Sequence, residues 1–141
     1  MTTAFEGTCH CGAIGYSYRT ALAPADWPVR ACQCSFCRAH SVLTTSDPAG
    51  SIEFFERNAG ALNRYRFGQR TADFLLCRSC GVYVGAVIDT PHGRFGIVNL
   101  HALRDRPPDL RPAEPMDYGR ENAGARIARR ESRWTPVVGA V

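Results

Sequence analysis

Apolar and polar residues alternate over short stretches through most of the chain, which is the pattern of half-buried β-strands. Seven stretches are predicted as strands, at residues 14–18, 42–46, 52–56, 62–67, 73–76, 82–88 and 94–100. Turn-forming sequences separate several of them, including DPAGS at 47–51 and TPHG at 90–93. The pattern therefore predicts an all-β fold that is mainly antiparallel.

The C-terminal part of the chain lacks this alternation. Residues 106–115 contain four prolines and predict an extended connection. Residues 119–132 predict one short helix whose arginines form a solvent-exposed face, with an irregular tail as the alternative. A chain of 141 residues has the size of one domain. We therefore predict a single domain over residues 1–141, with a core at 5–104 and a C-terminal extension at 105–141.

Composition and charge narrow the possible partners. The chain has 45% hydrophobic and 21% charged residues, which is ordinary for a globular protein. It lacks an apolar run long enough to cross a bilayer and the basic start and apolar core of a secretory signal, so we expect a cytoplasmic protein without a membrane partner. The net charge is +4 and every basic residue is arginine. This small excess makes a nucleic-acid partner unlikely but is compatible with a small anionic ligand.

The cysteine content changes this picture most. Seven cysteines are many for a chain of this length. Thiols in the cytosol stay reduced, so metal binding or redox chemistry is their expected use. An odd number of cysteines also excludes a framework in which every cysteine is paired in a disulfide within one chain.

Two cysteine pairs, Cys9/Cys11 and Cys77/Cys80, are each followed at once by glycine. Glycine adopts the positive φ of a tight turn at little cost, and such a turn directs backbone N–H groups at the sulfur atoms. Zinc prefers four ligands in a tetrahedron, so two turns with two cysteines each complete one closed site. We predict a structural zinc ion here, which joins the start of the sheet to its middle and contributes directly to folding.

The other three cysteines, Cys32, Cys34 and Cys37, lie within six residues. Three protein ligands and one exchangeable position are typical of catalytic zinc. We therefore predict that these three residues hold a second, open zinc ion and are the catalytic residues. Two alternatives stay open at this point. His40 or another histidine could complete the site, or Cys34 and Cys37 could form a redox pair.

An open site of one zinc ion and three thiolates carries net negative charge, so it activates water poorly and suits a thiol better. A coordinated thiol loses its proton, which presents an ionised sulfur nucleophile. The negative charge needs nearby donors, for which Ser35, Arg38 and loop amides are candidates. His101 is a further candidate near the site, whereas His10 and His92 are expected at exposed turns. The signatures of zinc deaminases and of His-Glu-x-x-His metalloproteases are absent.

Three segments carry a likeness to a known family. GTCHCGAIGYSY (7–18), CQCSFCRAHS (32–41) and LCRSCGVYVG (76–85) resemble, in this order, the family of glutathione-dependent formaldehyde-activating enzymes and centromere protein V. The likeness extends from Gly7 to Leu103, and YRFGQRTADFLLCRSCGV resembles the centromere protein V branch more closely. Leu76 replaces the usual phenylalanine of the family.

The resemblance implies an Mss4-like β fold and the same division of the seven cysteines between a structural and a catalytic zinc ion. It implies that the open position of the catalytic zinc takes the sulfur of glutathione. The implied reaction joins glutathione and formaldehyde to S-(hydroxymethyl)glutathione, which is a carbon–sulfur lyase reaction in the reverse sense.

Two functions of different class follow. The first is an enzyme that binds a small thiol such as glutathione at the open zinc site. The second is a non-catalytic zinc module that binds a protein or a nucleic acid. The open position next to Cys32, Cys34 and Cys37 favours the enzyme, while the support for the module comes from arginines in the tail. These arginines are Arg126, Arg129, Arg130 and Arg133.

Overall fold

The predicted strands are present, and further short elements lie between them. The computed structural model describes residues 2–139. The strands are β1 (Thr3–Thr8), β2 (Ile14–Thr20), β3 (Arg30–Cys32), β4 (Thr44–Thr45), β5 (Ser51–Glu56), β6 (Leu62–Tyr65), β7 (Asp73–Cys77), β8 (Tyr83–Thr90), β9 (Gly93–Asn99), β10 (Glu114–Met116) and β11 (Thr135–Val138). The α-helices are α1 (Ser35–His40) and α2 (Ala123–Arg133), and 3₁₀ turns lie at Pro24–Asp26 and Leu100–Ala102.

The strands form two sheet regions that share β11. One region has the order β1-β2-β5 and is antiparallel. The other runs β6-β7-β8-β9 and continues from β9 through β4 and β3 to β10. Strand β11 joins the two regions, because Thr135 and Pro136 pair with β9 while Val137 and Val138 pair with β5.

Most of these pairings are antiparallel, which confirms the predicted fold class. The exceptions among the described residues are the parallel pairs β11-β5 and β10-β3. Both involve strands that come from the chain after residue 104, so the late segments are built into the sheet rather than attached to its outside.

Buried aromatic and aliphatic side chains hold the two regions together. The main core includes Tyr16 and Tyr18 from β2, Phe54 from β5 and Val98 from β9. Full burial of an aliphatic or aromatic side chain of this size contributes about 1.5–3 kcal/mol to stability. Tyr16 also donates its hydroxyl hydrogen to the carbonyl oxygen of Asn99 at 2.8 Å, which links β2 to the end of β9.

A second core cluster lies next to the three-cysteine segment. It contains Cys37, Phe74, Tyr83, Ile97 and Trp134, all buried. These residues come from α1, β7, β8 and β9 and from the residue that follows α2. The cluster therefore fixes α1 and the end of α2 to the same part of the sheet.

Each predicted strand overlaps an observed one, namely β2 and β4 to β9, and the predicted helix at 119–132 overlaps α2. Strands β1, β3, β10 and β11 and helix α1 are additional. Neither of the helices within the described range has the length and the apolar surface that a membrane crossing requires. Residues 1, 140 and 141 of the predicted domain lie outside the described residues.

Candidate metal centres

The two outer cysteine pairs meet in space, although 66 residues separate Cys11 from Cys77. The sulfur atoms of all four cysteines, Cys9, Cys11, Cys77 and Cys80, lie within 4.8 Å of one another. Cys11 Sγ is 3.7 Å from Cys9 Sγ and 3.5 Å from Cys77 Sγ. Four sulfurs at about 2.3 Å from a zinc ion would form a tetrahedron with edges of about 3.8 Å. The four-cysteine group therefore has the dimensions that a tetrahedral zinc ion needs.

Tight turns present these cysteines, as their glycines predict. The first pair lies in the β1–β2 turn and the second at the β7–β8 turn. Gly12 and Gly81 have φ values of 82° and 81°. Residues other than glycine adopt this left-handed backbone conformation only at a cost in free energy. The two glycines therefore allow both turns to close.

The turns direct backbone N–H groups at the sulfur atoms. The N–H groups of Ser79 and Cys80 approach Cys77 Sγ at 3.3 and 3.4 Å. The N–H group of Ile14 approaches Cys9 Sγ at 3.4 Å. These partial positive charges stabilise thiolates, which are the form of cysteine that binds zinc.

The pKa values of the second pair follow from these contacts. Burial opposes ionisation of the Cys80 thiol, but the amides of Val82 and Cys11 outweigh it and bring the pKa to about 6. Burial likewise opposes ionisation of Cys77, and the amides of Cys80 and Ser79 lower its pKa. The backbone amides of the β7–β8 turn thus favour the thiolate form of both cysteines.

The remaining three cysteines converge at the start of α1. Cys32 is the last residue of β3, Cys34 is the N-cap of α1, and Cys37 lies in the first turn of that helix. An N-cap side chain and the residue three positions later lie on the same side of a helix start. The Cys37 N–H group approaches Cys34 Sγ at 3.4 Å, and all three sulfur atoms lie within 4.8 Å of one another.

The three thiols of this group shift one another's pKa values in opposite directions. Hydrogen bonds from the thiols of Cys32 and Cys37 to Cys34 lower the pKa of Cys34 far below its ordinary value. Contacts with Cys32 and then with Cys34, followed by burial, raise the pKa of Cys37. One thiolate is therefore shared by two S–H groups, an arrangement in which a soft divalent cation can replace the protons.

Among the described residues, no histidine, carboxylate or fourth cysteine joins this group. His40 is exposed, and its ring stacks on that of Phe36 with 4.4 Å between the centroids. His40 therefore does not complete the site. His101 is exposed and lies within 3.4 Å of Arg106, outside the site. His10 and His92 are exposed at turns, as predicted.

A cavity of about 250 Å³ adjoins the three-cysteine group. Its apolar lining includes Phe67, Phe74, Ile97 and Trp134. Five arginines also line it, namely Arg30, Arg126, Arg129, Arg130 and Arg133. A concave, mostly apolar space with a few convergent charged groups is the usual form of a small-molecule site.

Two predictions about charge are wrong. Ser35 was a candidate donor to the three-cysteine group, and Arg38 was a candidate donor or equally a surface residue. Both are exposed and neither lines the cavity. The arginines of the predicted helix were expected to face solvent. Instead Arg130 is buried and lines the cavity together with Arg126 and Arg129. Arg120 is exposed and outside the cavity lining. The arginine tail therefore no longer supports the nucleic-acid module.

Two sequence signals could have located these arginines. Arg30 precedes Cys32 by two residues in a strand, and side chains at this spacing point to the same face. The arginines of α2 recur at intervals of three and four residues, which places them on one face of a helix. The spacing does not show whether this helix face points into the protein or toward solvent.

The fold and the two cysteine groups together define a mostly β protein with two sites that could hold zinc. Residues 4–118 match the family model described as "Glutathione-dependent formaldehyde-activating enzyme". The chain belongs to this family, as its motifs predict.

A crystal structure of a Rhodobacter sphaeroides protein, solved as a structural genomics target, is similar. It shares 31% identity, has a TM-score of 0.60, and the alignment covers 79% of this chain and 99% of that one. No curated protein matches the chain significantly.

Proposed function

We propose that this protein binds glutathione, or a closely similar small thiol, at the three-cysteine group and joins it to formaldehyde. It would thus act as an S-(hydroxymethyl)glutathione synthase-like carbon–sulfur lyase. One observation carries this proposal: Cys32, Cys34 and Cys37 form a three-ligand group beside a 250 Å³ cavity, with no fourth ligand among the described residues. Membership of the family supports the choice of thiol and aldehyde.

The proposal includes two zinc ions per chain. The four-cysteine group would hold a structural ion, because its four sulfurs complete a tetrahedron. The three-cysteine group would hold the second ion and leave one position for a thiol. When bound, this zinc would supply a coordination position at which a thiol is ionised at neutral pH.

The reaction balances without an oxidant or a reductant. The S–H bond of the thiol breaks, and a sulfur electron pair forms a bond to the carbonyl carbon of formaldehyde. The π electrons of the C=O bond move to oxygen, which takes up a proton. The product is a hemithioacetal, and its breakdown is the same sequence in reverse.

The chain's own residues would bind and orient the thiol. Strand β3 and the N-terminus of α1 hold the three sulfurs in fixed positions, since Cys34 caps the helix and Cys37 is packed in the core. The apolar walls formed by Phe67 and Phe74 reduce water access to the reacting atoms. The arginines offer charge-assisted hydrogen bonds to carboxylates of the bound thiol.

Carbon-13 NMR tests the activity directly. Glutathione and ¹³C-formaldehyde equilibrate slowly with their adduct, and exchange spectroscopy measures the rate of interconversion. We expect the exchange rate to rise in proportion to zinc-loaded protein. The acceleration should be lost in Cys34→Ser and retained in Ser35→Ala, which changes an exposed neighbour outside the cavity. A protein with both zinc ions that leaves the exchange rate unchanged would contradict the proposal.

Cobalt substitution tests thiol binding separately from catalysis. Glutathione should change the thiolate-to-metal absorption of the cobalt protein, and the change should disappear in Cys34→Ser. The absence of a response to any low-molecular-weight thiol would favour the alternative, a zinc module without catalytic activity.

A further inference from the structure

Helix α2 turns its charged face toward the molecule and its small apolar residues toward solvent. Its four arginines share one face and line the cavity. Ala128 occupies the opposite side of the helix and is exposed. A surface helix normally has the reverse arrangement, with apolar residues against the core. The inversion indicates that the arginine face serves a ligand.

Arg130 shows this most clearly. It is only 8% exposed, which is rare for a charged residue without an ionic partner. Its Nη1 group donates to Thr71 Oγ1 at 2.7 Å, and its guanidinium carbon lies 4.8 Å from the centroid of the Trp134 ring. Its Nε is buried and has no hydrogen-bond partner among the described residues. A buried cationic donor of this kind, beside a cavity, favours an anionic acceptor in that cavity, because charge-assisted hydrogen bonds are the stronger ones.

The carboxylates near the cavity do not pair with Arg130: Asp117 lines the cavity but is exposed, and Glu121 is taken up by other arginines. Glu121 accepts two hydrogen bonds from Arg129, at 2.8 and 3.0 Å, and lies 3.5 Å from Arg126. Within residues 2–139, neither Arg30, Arg130 nor Arg133 has a carboxylate oxygen within 4.0 Å. Burial, and then the nearby Arg129 and Arg126, lower the pKa of Arg130 to about 10. Arg130 therefore remains charged at neutral pH in a cationic neighbourhood.

Arg30 connects this cationic region to the cysteines. It lies on the same face of β3 as Cys32, two residues away, and its Nη1 donates to Ser46 Oγ at 2.8 Å. One small molecule in the cavity can therefore reach both a cysteine and an arginine. Helix α2 follows the matched family region, which ends at residue 118. The α2 arginines of the cavity thus come from outside that region, whereas Arg30 lies inside it.

We propose that Arg30, Arg130 and Arg133 form an oxyanion subsite that selects thiols carrying two carboxylate groups over neutral or cationic thiols. This inference rests on the thiol function proposed above and adds the charge class of the substrate. The carboxylates would accept hydrogen bonds from the guanidinium groups while the sulfur lies at the three-cysteine group.

Calorimetric titration of the zinc-loaded protein tests the subsite with two small thiols. Mercaptosuccinate has two carboxylates and 2-mercaptoethanol has none. At low salt and equal thiolate concentration, we expect mercaptosuccinate to bind at least about tenfold more tightly, and 0.5 M NaCl to remove most of the difference. Arg130→Met should weaken mercaptosuccinate binding about tenfold and leave 2-mercaptoethanol unchanged. Arg120→Met, at an exposed position outside the cavity lining, is the matched control.

S-methylglutathione separates the subsite from the proposed function, because it keeps both carboxylates but has no free thiol. We expect weak binding that is lost in Arg130→Met. If S-methylglutathione binds in this manner but no thiol binds more tightly, the subsite stands and the thiol function fails.

Equal affinity for mercaptosuccinate and 2-mercaptoethanol would overturn the subsite while leaving thiol binding intact. Binding of S-methylglutathione that is unaffected by the arginine variants, or no binding of any probe, would also overturn it. If Arg130→Met does not fold, Arg133→Met makes the same test at an exposed residue of the cavity lining.

Discussion

The seven cysteines are divided between two groups that differ in how they connect the chain. Cys80 belongs to a group of four that links two distant turns, whereas Cys34 belongs to a group of three within one segment. A metal ion in the first group would hold β1–β2 to β7–β8, so its binding free energy would also be folding free energy. A metal ion in the second group would connect residues that β3 and α1 already hold together.

Cys80→Ser and Cys34→Ser should therefore have different effects. We expect Cys80→Ser to lower the Tm by about 10 °C or more, because it opens the closed site. Cys34→Ser should stay folded, with a Tm close to that of the unchanged protein and about one zinc ion fewer per chain. Thermal unfolding and metal analysis of both variants make the comparison. Similar losses of stability in the two variants would contradict the division.

The turn glycines allow a second test at the scale of one residue. Gly81 has a φ of 81°, and a Cβ atom added there would meet nothing within 4 Å. Gly81→Ala should therefore destabilise through backbone conformation alone, by about 1 kcal/mol. Gly124→Ala is the control, because that glycine lies inside α2, where alanine should stabilise by up to about 1 kcal/mol. Denaturant unfolding should give opposite signs, and equal effects would contradict this explanation.

At the scale of elements, α2 is held at its start by an acidic residue. Glu121 precedes the N-cap Asn122 and binds Arg129 about two turns later. The hydrogen bond from Arg129 lowers the pKa of Glu121, against the opposing effect of burial. Because the pKa of Glu121 is lower in the folded state, its interaction with Arg129 stabilises the fold at pH values above the unfolded-state pKa. This stabilisation is lost as the pH falls through the folded-state pKa.

Glu121→Gln should loosen α2 at pH 7. We expect its amides to exchange hydrogen about fivefold faster, which corresponds to roughly 1 kcal/mol, while the amides of β8 and β9 keep their rates. High salt should reduce the difference. Glu114→Gln, on exposed β10, should leave α2 exchange unchanged. Unchanged α2 exchange in Glu121→Gln would show that this ion pair does not anchor the helix.

The sequence predicts the long alternating strands and both cysteine groups, and it fails on short or unusual elements. Helix α1 has six residues, too few for helical periodicity to appear. Strands β10 and β11 contain Pro115 and Pro136, which argue against a strand. Their strand conformation depends on pairing with β3, β5 and β9, which local sequence does not encode.

The arginine face of α2 points inward, whereas the sequence predicts that it points to solvent. Arginines on one helix face normally predict solvent, because charged groups lose hydration when they are buried. Here Trp134 and Thr135 pack in the protein directly after the helix, and this docking turns the arginine face to the cavity. Each cysteine pair and the triplet could be interpreted without the fold because the spacing within each motif is local and the ligand count then joins the two pairs. The inward orientation of the α2 arginines depends on tertiary packing.

At the scale of the whole molecule, the sheet brings distant segments to two sites of different kind. The four-cysteine group joins two turns of the sheet, and the three-cysteine group opens on a cavity closed by α2. The central claim is that one metal ion is fully enclosed by protein ligands while the other keeps a position for a thiol.

Cadmium-113 NMR tests this claim most directly, because each bound ion gives its own resonance. The protein loaded with cadmium under reducing conditions should show two resonances of equal intensity, and glutathione should shift one of them alone. The resonance that shifts should be the one missing in Cys34→Ser. A single resonance at saturation, or two resonances that glutathione leaves in place, would contradict the account.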